Sequence, residues 1–233
     1  GLEVIVIDDG STDDSVAIAE GYSCRLVRPG RNGGAAFARN RGIEQATGDH
    51  LFFVDADVVL PNDALVLATA TMAESGADCV VGVFAAENPF EDFFSQYKSL
   101  YTNFKYQNLQ GGASLNTAVT LVRRQVLDDV GGFDEGMSTV EDNELGDRIF
   151  RHGFKIVIER RLEVLHLKQF SMAGLLRNDY HKAVGLAELL ASRMRAGEWS
   201  PGGEFTDISP SHMMNVPIVF VTLAGLLVAA AGW

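Results

Sequence analysis

Over the first eighty residues, short apolar runs alternate with longer stretches patterned for one-sided burial. Glu3–Ile7, Cys24–Val27, Leu51–Val54 and Asp78–Phe84 are apolar and rich in β-branched residues, which predicts buried strands. Between them, Ser11 with Asp14 three residues later reads as a capping box for a helix ending near Glu20. Ala35–Ala46 is helical in pattern and closed by Gly48, and Pro61 suits the first turn of a third helix. Strand–helix alternation predicts an α/β fold with a parallel, doubly wound sheet. Such sheets bind ligands at the carboxyl ends of their strands. Asp8-Asp9 and Asp55-x-Asp57 both fall there.

After Pro89 the pattern changes. Residues 90–106 carry Phe93, Phe94, Tyr97, Tyr101 and Phe104 at helical spacing, read as a helix face packed on the sheet rather than a sugar-stacking platform. A strand is predicted over Thr117–Val122 and a short helix to Val130. A further helix runs from Thr139 to His152, with Thr139 and Asp142 as its capping box and Gly153 at its end. Lys155–Ile158 and Glu163–His166 read as two short strands, and Met172–Arg195 as a long amphipathic helix. The organisation is a domain over 1–197, a polar linker over 198–215, and an apolar tail over 216–233. Val216–Trp233 holds no charged residue and is just long enough to begin a membrane span; a buried core helix is the competing reading. The chain enters a strand at once without Met, which reads as a start inside a longer protein.

Composition narrows the chemistry. The net charge of −12 argues against nucleic acid as a partner, because phosphate neutralisation needs clustered Lys and Arg. An acidic chain that handles a phosphorylated ligand needs a bound cation between them. Cys24 and Cys79 form no C-x-x-C pattern and read as buried reduced thiols.

Three acidic groups carry candidate chemistry. Asp55 and Asp57, at i and i+2 past a strand end, can share a divalent cation of the Mg²⁺ or Mn²⁺ type, although Asp after a strand also serves turns. Asp8 and Asp9 repel phosphate and suit base N–H groups or ribose hydroxyls; a turn with an N-cap is the structural alternative. Glu141 and Asp142 sit at a helix start, where acids favour the dipole and where a carboxylate is also placed to act as a general base.

Taken in order, these motifs resemble glycosyltransferase family 2. Glu3-Val-Ile-Val-Ile-Asp-Asp-Gly-Ser-Thr-Asp13 resembles its second strand and DDGS turn, and Asn32–Gly42 its N-x-G…ARN-x-G helix. Gly48–Asp57 resembles its D-x-D strand; Gly131-Gly-Phe-Asp-Glu135 with Glu141-Asp142 and Leu145-x-x-Arg148 resembles its acceptor-side half. The resemblance implies the nucleotide-diphospho-sugar transferase (GT-A) fold, an α/β fold with a mixed, mainly parallel sheet and helices on both faces, here lacking its first strand. It implies that Asp8, Asp9, Arg39, Asn40, Asp55 and Asp57 bind the nucleotide-sugar. Asp57, Asp55 and His166 would hold the metal, with Asp57 the more direct ligand. Asp142 would be the catalytic base, with Glu141 beside it.

The implied reaction is inverting transfer from a nucleotide-diphospho-sugar, a UDP-sugar favoured, to a hydroxyl on a glycan or lipid-linked acceptor. The implied setting is cell-envelope polysaccharide synthesis at the membrane, with the domain on the cytoplasmic side. Leu176-Arg-Asn-Asp-Tyr180 stands where processive synthases carry Q-x-x-R-W, which favours single transfer. A nucleotidyltransferase and a catalytically inactive membrane-bound scaffold are the competing classes. A phosphoacceptor receiver domain is about half this length.

Overall fold

The computed structural model describes residues 1–109, 112–137 and 139–198. Strand β1 (Ile5–Ile7) leads into α1 (Ser15–Glu20), β2 (Arg25–Val27) and α2 (Gly34–Gln45). Then come β3 (His50–Val54), β4 (Val58–Val59), α3 (Ala64–Ser75) and β5 (Cys79–Phe84). The second half holds α4 (Phe93–Asn108), β6 (Val119–Arg123), α5 (Arg124–Val130), α6 (Glu141–Arg151), β7 (Ile156–His166) and α7 (Met172–Ala196).

The five-stranded sheet has the order β3-β6-β5-β7-β4, and β1 and β2 pair in parallel as a second small sheet. The expected mainly parallel arrangement is corrected here. In the large sheet only β5 and β7 pair in parallel, while β3–β6, β5–β6 and β4–β7 are antiparallel. The cause is β6. It lies between β3 and β5, which themselves point the same way, as an alternating strand–helix pattern demands. Sequence alternation orders consecutive elements but does not reveal that a later strand inserts between earlier ones.

Helices do cover both faces. Period-two alternation along β5 sends Cys79 and Val81 to one side and Val80 to the other. The first side packs against Ala36 of α2, Val126 and Leu127 of α5, and Leu145 and Ile149 of α6. The second packs against Ala64, Ala68 and Met72 of α3.

Four local expectations change. The two strands expected over 155–166 are one strand, β7, with an irregular register opposite Val81–Val83. The two-residue strand β4 is too short to show in a pattern. Neither capping box forms. Asp8 takes the Ser11 N–H at 2.9 Å and keeps Ser11 in the turn, so α1 starts only at Ser15. At α6 the N-cap position is Val140, in a left-handed conformation with φ 59° and no side-chain cap. Finally, α4 buries Ser95, Ser99 and Tyr106, while Phe93, Tyr97, Tyr101 and Phe104 are exposed. The small serines allow close approach to the sheet; the Phe93, Tyr97 and Tyr101 rings stack outside at 6.1 Å spacing.

Among the described residues no helix is long and apolar enough to cross a membrane. The apolar tail Val216–Trp233 and nearly all of the linker before it lie outside the described residues.

Candidate active site

The β4–β7 pairing builds one end of the site. Val58 of β4 pairs with His166 of β7, and the Leu167 N–H donates to the Asp57 carbonyl at 2.7 Å. This register places Asp57 beside a histidine 109 positions away, with His166 Nε2 3.2 Å from Asp57 Oδ2. The hydrogen bond from His166 holds the Asp57 carboxyl below the usual carboxylate range, against the opposing effect of burial. The imidazole is fixed from behind by stacking on Phe84, with ring centroids 4.7 Å apart.

Arg39 of α2 binds the other two motifs to each other. Its guanidinium donates to Asp55 Oδ1 at 2.8 Å and to Glu141 Oε1 at 2.7 Å, and its side chain is only 15% exposed. Burial works against this charge, but Asp55 and Glu141 more than offset it and the pKa is raised. A planar fork with two separated donors suits such bridging better than an ammonium would.

Asp142 follows at the first turn of α6, its carboxylate accepting from the Asn143 N–H at 2.8 Å. The N-cap position of α6, Val140, carries no side-chain cap. The approach to it is rigid. Val140 is buried, and both Thr139 and Val140 press on α7 at Gly185, where an added Cβ would lie 2.6 Å from Thr139 Oγ1. A β-branched residue in the left-handed region costs about 1–3 kcal/mol and persists only where its surroundings enforce it.

These groups share one cavity of about 410 Å³. Asp55, Asp57, Glu141, Asp142, His166 and Arg39 line it. Asp8, Asp9 and Asn40 do not. Asp8 is buried, its carboxyl held below the usual range by Ser11 hydrogen bonds and by Arg28 at 3.4 Å. Asp9 spends both oxygens on the start of α2, accepting from Gly33 at 2.8 Å and Gly34 at 2.7 Å. Asn40 clamps the Gly131–Glu135 turn, exchanging hydrogen bonds with the Phe133 backbone at 2.8 and 2.9 Å.

The sequence reading missed the rest of the cavity wall. Lys98 and Ser99 of α4, Lys168 after β7, and Asn178, His181 and Lys182 of α7 also line it. Isolated polar residues on amphipathic helices look like solvated surface, and the sequence offers no signal against that.

Among the described residues, no group of three or more His, Cys, Asp or Glu side chains is gathered to hold a metal. The pair Asp57–His166 does fit a divalent cation. Carboxylate oxygen and imidazole nitrogen suit Mn²⁺, both side chains reach the cavity, and phosphate and water oxygens commonly complete such a shell.

Known proteins share this framework. The chain is 56% identical over 61 residues to an uncharacterized glycosyltransferase, YibD, of Escherichia coli, a stretch covering 24% of this chain and 17% of the relative. The structure of a mannosyltransferase from Pyrobaculum calidifontis, in complex with GDP-Man and Mn²⁺, superposes with a TM-score of 0.62 at 21% identity, over 83% of this chain and 55% of that one. TarS 1–349 of S. aureus, in complex with UDP-GlcNAc, superposes with a TM-score of 0.57 at 21% identity, over 81% and 57%. At this identity the likeness establishes a shared fold, and the chain spans little more than half of either structure. The model of glycosyl transferase family 2 matches residues 1–131, more than half the sequence, and the chain belongs to that family.

Proposed function

We propose that this domain transfers a sugar from a nucleotide-diphospho-sugar to an acceptor hydroxyl, with inversion at the anomeric carbon. One observation carries the reading: Asp55-x-Asp57 and Glu141-Asp142, far apart in sequence, converge on one cavity, with Arg39 joining Asp55 to Glu141. The neighbours' complexes, one with GDP-Man and Mn²⁺ and one with UDP-GlcNAc, support it. So does the acidic balance of the chain, which favours a cation between protein and diphosphate.

Asp57 and His166 would hold a divalent cation, Mn²⁺ or Mg²⁺. When bound, that ion supplies positive charge to the departing diphosphate. Asp55 serves by fixing Arg39, and through it Glu141. With Glu141 engaged by a guanidinium at 2.7 Å, Asp142 is the base that takes the acceptor proton. The acceptor oxygen then forms its bond to the anomeric carbon as the bond to the diphosphate oxygen breaks, and that electron pair leaves with the diphosphate. One displacement inverts the centre. Asp8 and Asp9 act on the nucleoside end indirectly, by holding the β1–α1 turn and the start of α2; Asn40 holds the acceptor-side turn. The neighbours bind GDP-Man and UDP-GlcNAc, so both UDP- and GDP-sugars belong in a donor screen.

Membrane association, with the domain on the cytoplasmic side, belongs to the same proposal. The charge-free run 216–233 and the exposed aromatic face of α4 support it. Carbonate extraction of the full-length protein tests it, and complete release would count against it. The catalytic reading is tested by calorimetric binding of UDP and GDP with and without Mn²⁺. Asp57→Ala and His166→Ala are each expected to abolish the Mn²⁺-dependent part. Equal binding by both variants would remove the metal from this pair.

A further inference from the structure

Lysine is scarce here. The chain has five, Lys98, Lys105, Lys155, Lys168 and Lys182, and three of them line the cavity of the acidic motifs. In a chain of net charge −12 this concentration calls for a ligand-based explanation.

The three lysines are not equivalent. Lys168 lies towards the donor end, close enough for its charge to act on Asp57. Lys98 and Lys182 belong to α4 and α7. Lys98 is largely buried, its side chain 14% exposed, and burial pushes its pKa down. Its partner is Asp179 at 2.6 Å, a half-exposed carboxylate. Lys182, three residues further along α7, repels Lys98. Among the described residues Asp179 is the one carboxylate paired with either of them. Two ammonium groups facing one cavity and sharing one counter-ion form a site that an anion would complete. A second polar group in the cavity wall also waits for a partner. Asn116 is 5% exposed, and its Nδ2 has no hydrogen-bond acceptor.

The position of Asp142 decides which substrate meets these lysines. The residues leading to it lie against α7: Thr139 Oγ1 is 3.5 Å from the His181 carbonyl, and Val140 packs on Gly185. An acceptor whose hydroxyl reaches Asp142 therefore lies along the turn of α7 that carries Lys182. The donor diphosphate belongs at the Asp57–His166 end.

We propose that Lys98 and Lys182 form an anion subsite for the acceptor, so that the acceptor carries a phosphate group near the hydroxyl that is glycosylated. This rests on the reading of Asp142 as the acceptor's base. It adds a substrate class that the motifs do not name.

The test uses the full-length protein with Mn²⁺. UDP or GDP affinity is measured first, for the unaltered protein, Lys182→Gln and Lys98→Gln. Glycerol 3-phosphate and glycerol are then titrated as probes into the nucleotide-loaded proteins. The unaltered protein is expected to prefer glycerol 3-phosphate, Lys182→Gln to weaken that probe about tenfold or more, and nucleotide affinity to stay within about twofold. Lys98→Gln breaks an ion pair between α4 and α7, whereas Lys182→Gln breaks no ion pair among the described residues and decides the matter if the former unfolds. Equal binding of both probes, or unchanged phosphate binding by Lys182→Gln, overturns the subsite. A parallel fall in nucleotide affinity also overturns it, by assigning the lysines to the donor diphosphate. Absence of nucleotide binding in the unaltered protein would instead refute the functional reading beneath it.

Discussion

Gly185→Ala tests how the catalytic loop is held. Inside α7, an alanine would ordinarily gain about 1 kcal/mol over glycine. Here the new Cβ would lie 2.6 Å from Thr139 Oγ1, 2.9 Å from Val140 Cγ2 and 3.5 Å from the Thr139 carbonyl. Ordinary carbon contacts begin near 3.5 Å, so Thr139 and Val140 must retreat by roughly 1 Å. Such overpacking costs about 1–3 kcal/mol, which leaves a net loss of about 0–2 kcal/mol after the helix gain. That is a fall in Tm of at most about 8 °C for a chain of this size. The functional effect is expected to be larger than the stability effect. Thr139 and Val140 lead directly into Glu141 and Asp142, and a misplacement of about 1 Å at reacting groups can cost about 10²-fold. Thermal unfolding and steady-state turnover are measured together, with Gly42→Ala as control. Gly42 lies inside α2, where the added Cβ meets Ile7 at ordinary distances, 3.6 Å to Cγ1 and 4.0 Å to Cδ1, so that variant should be at least as stable as the parent and fully active. Full turnover by Gly185→Ala would refute the claim that α7 fixes the position of Asp142.

Three further outcomes follow from buried charges and thiols. Glu159 is held down to about 2 by hydrogen bonds from Arg161 and Thr71. Its depressed value stabilises the fold above about pH 4.5, and that contribution is lost as pH falls towards 2. Glu159→Gln should therefore lower urea stability at neutral pH and converge with the parent near pH 2. Arg39→Met leaves Asp55 and Glu141 without their shared cation. Because Asp55 is 38% exposed, the expected cost in urea unfolding is about 2–3 kcal/mol, below the roughly 3–5 of a fully buried pair. Cys79 is fully buried and pushed up to about 12 by that burial, so a thiol reagent should label Cys24 alone in the folded protein and both cysteines in denaturant.

What the sequence disclosed is local. Acids just past an apolar run, as in Asp8-Asp9 and Asp55-x-Asp57, are legible because strand ends are where a sheet exposes its chemistry. The partnership of Asp57 with His166 was less so: it depends on the β4–β7 register, and β4 is two residues long. The capping boxes misled for a physical reason. Ser11 and Thr139 have the right spacing, but Asp8 captures the Ser11 N–H, and Thr139 faces His181. The aromatic row of α4 has helical period whichever way it points, and the serines between the rings proved to be the buried face. The lysines of the cavity were illegible because they come from three separate elements and meet only in space.

The most direct measurement of the central claim is transfer by Asp142→Asn in the full-length protein, with Mn²⁺ and a donor that the parent accepts. Asp142 accepts from the Asn143 N–H at 2.8 Å, a hydrogen bond that an asparagine oxygen can also accept. The variant should therefore fold and bind the nucleotide as the parent does. An amide cannot take the acceptor proton, so turnover should fall about 10²–10⁴-fold. Transfer at the parental rate, with nucleotide binding intact, would contradict the account and leave Glu141 as the base to be tested.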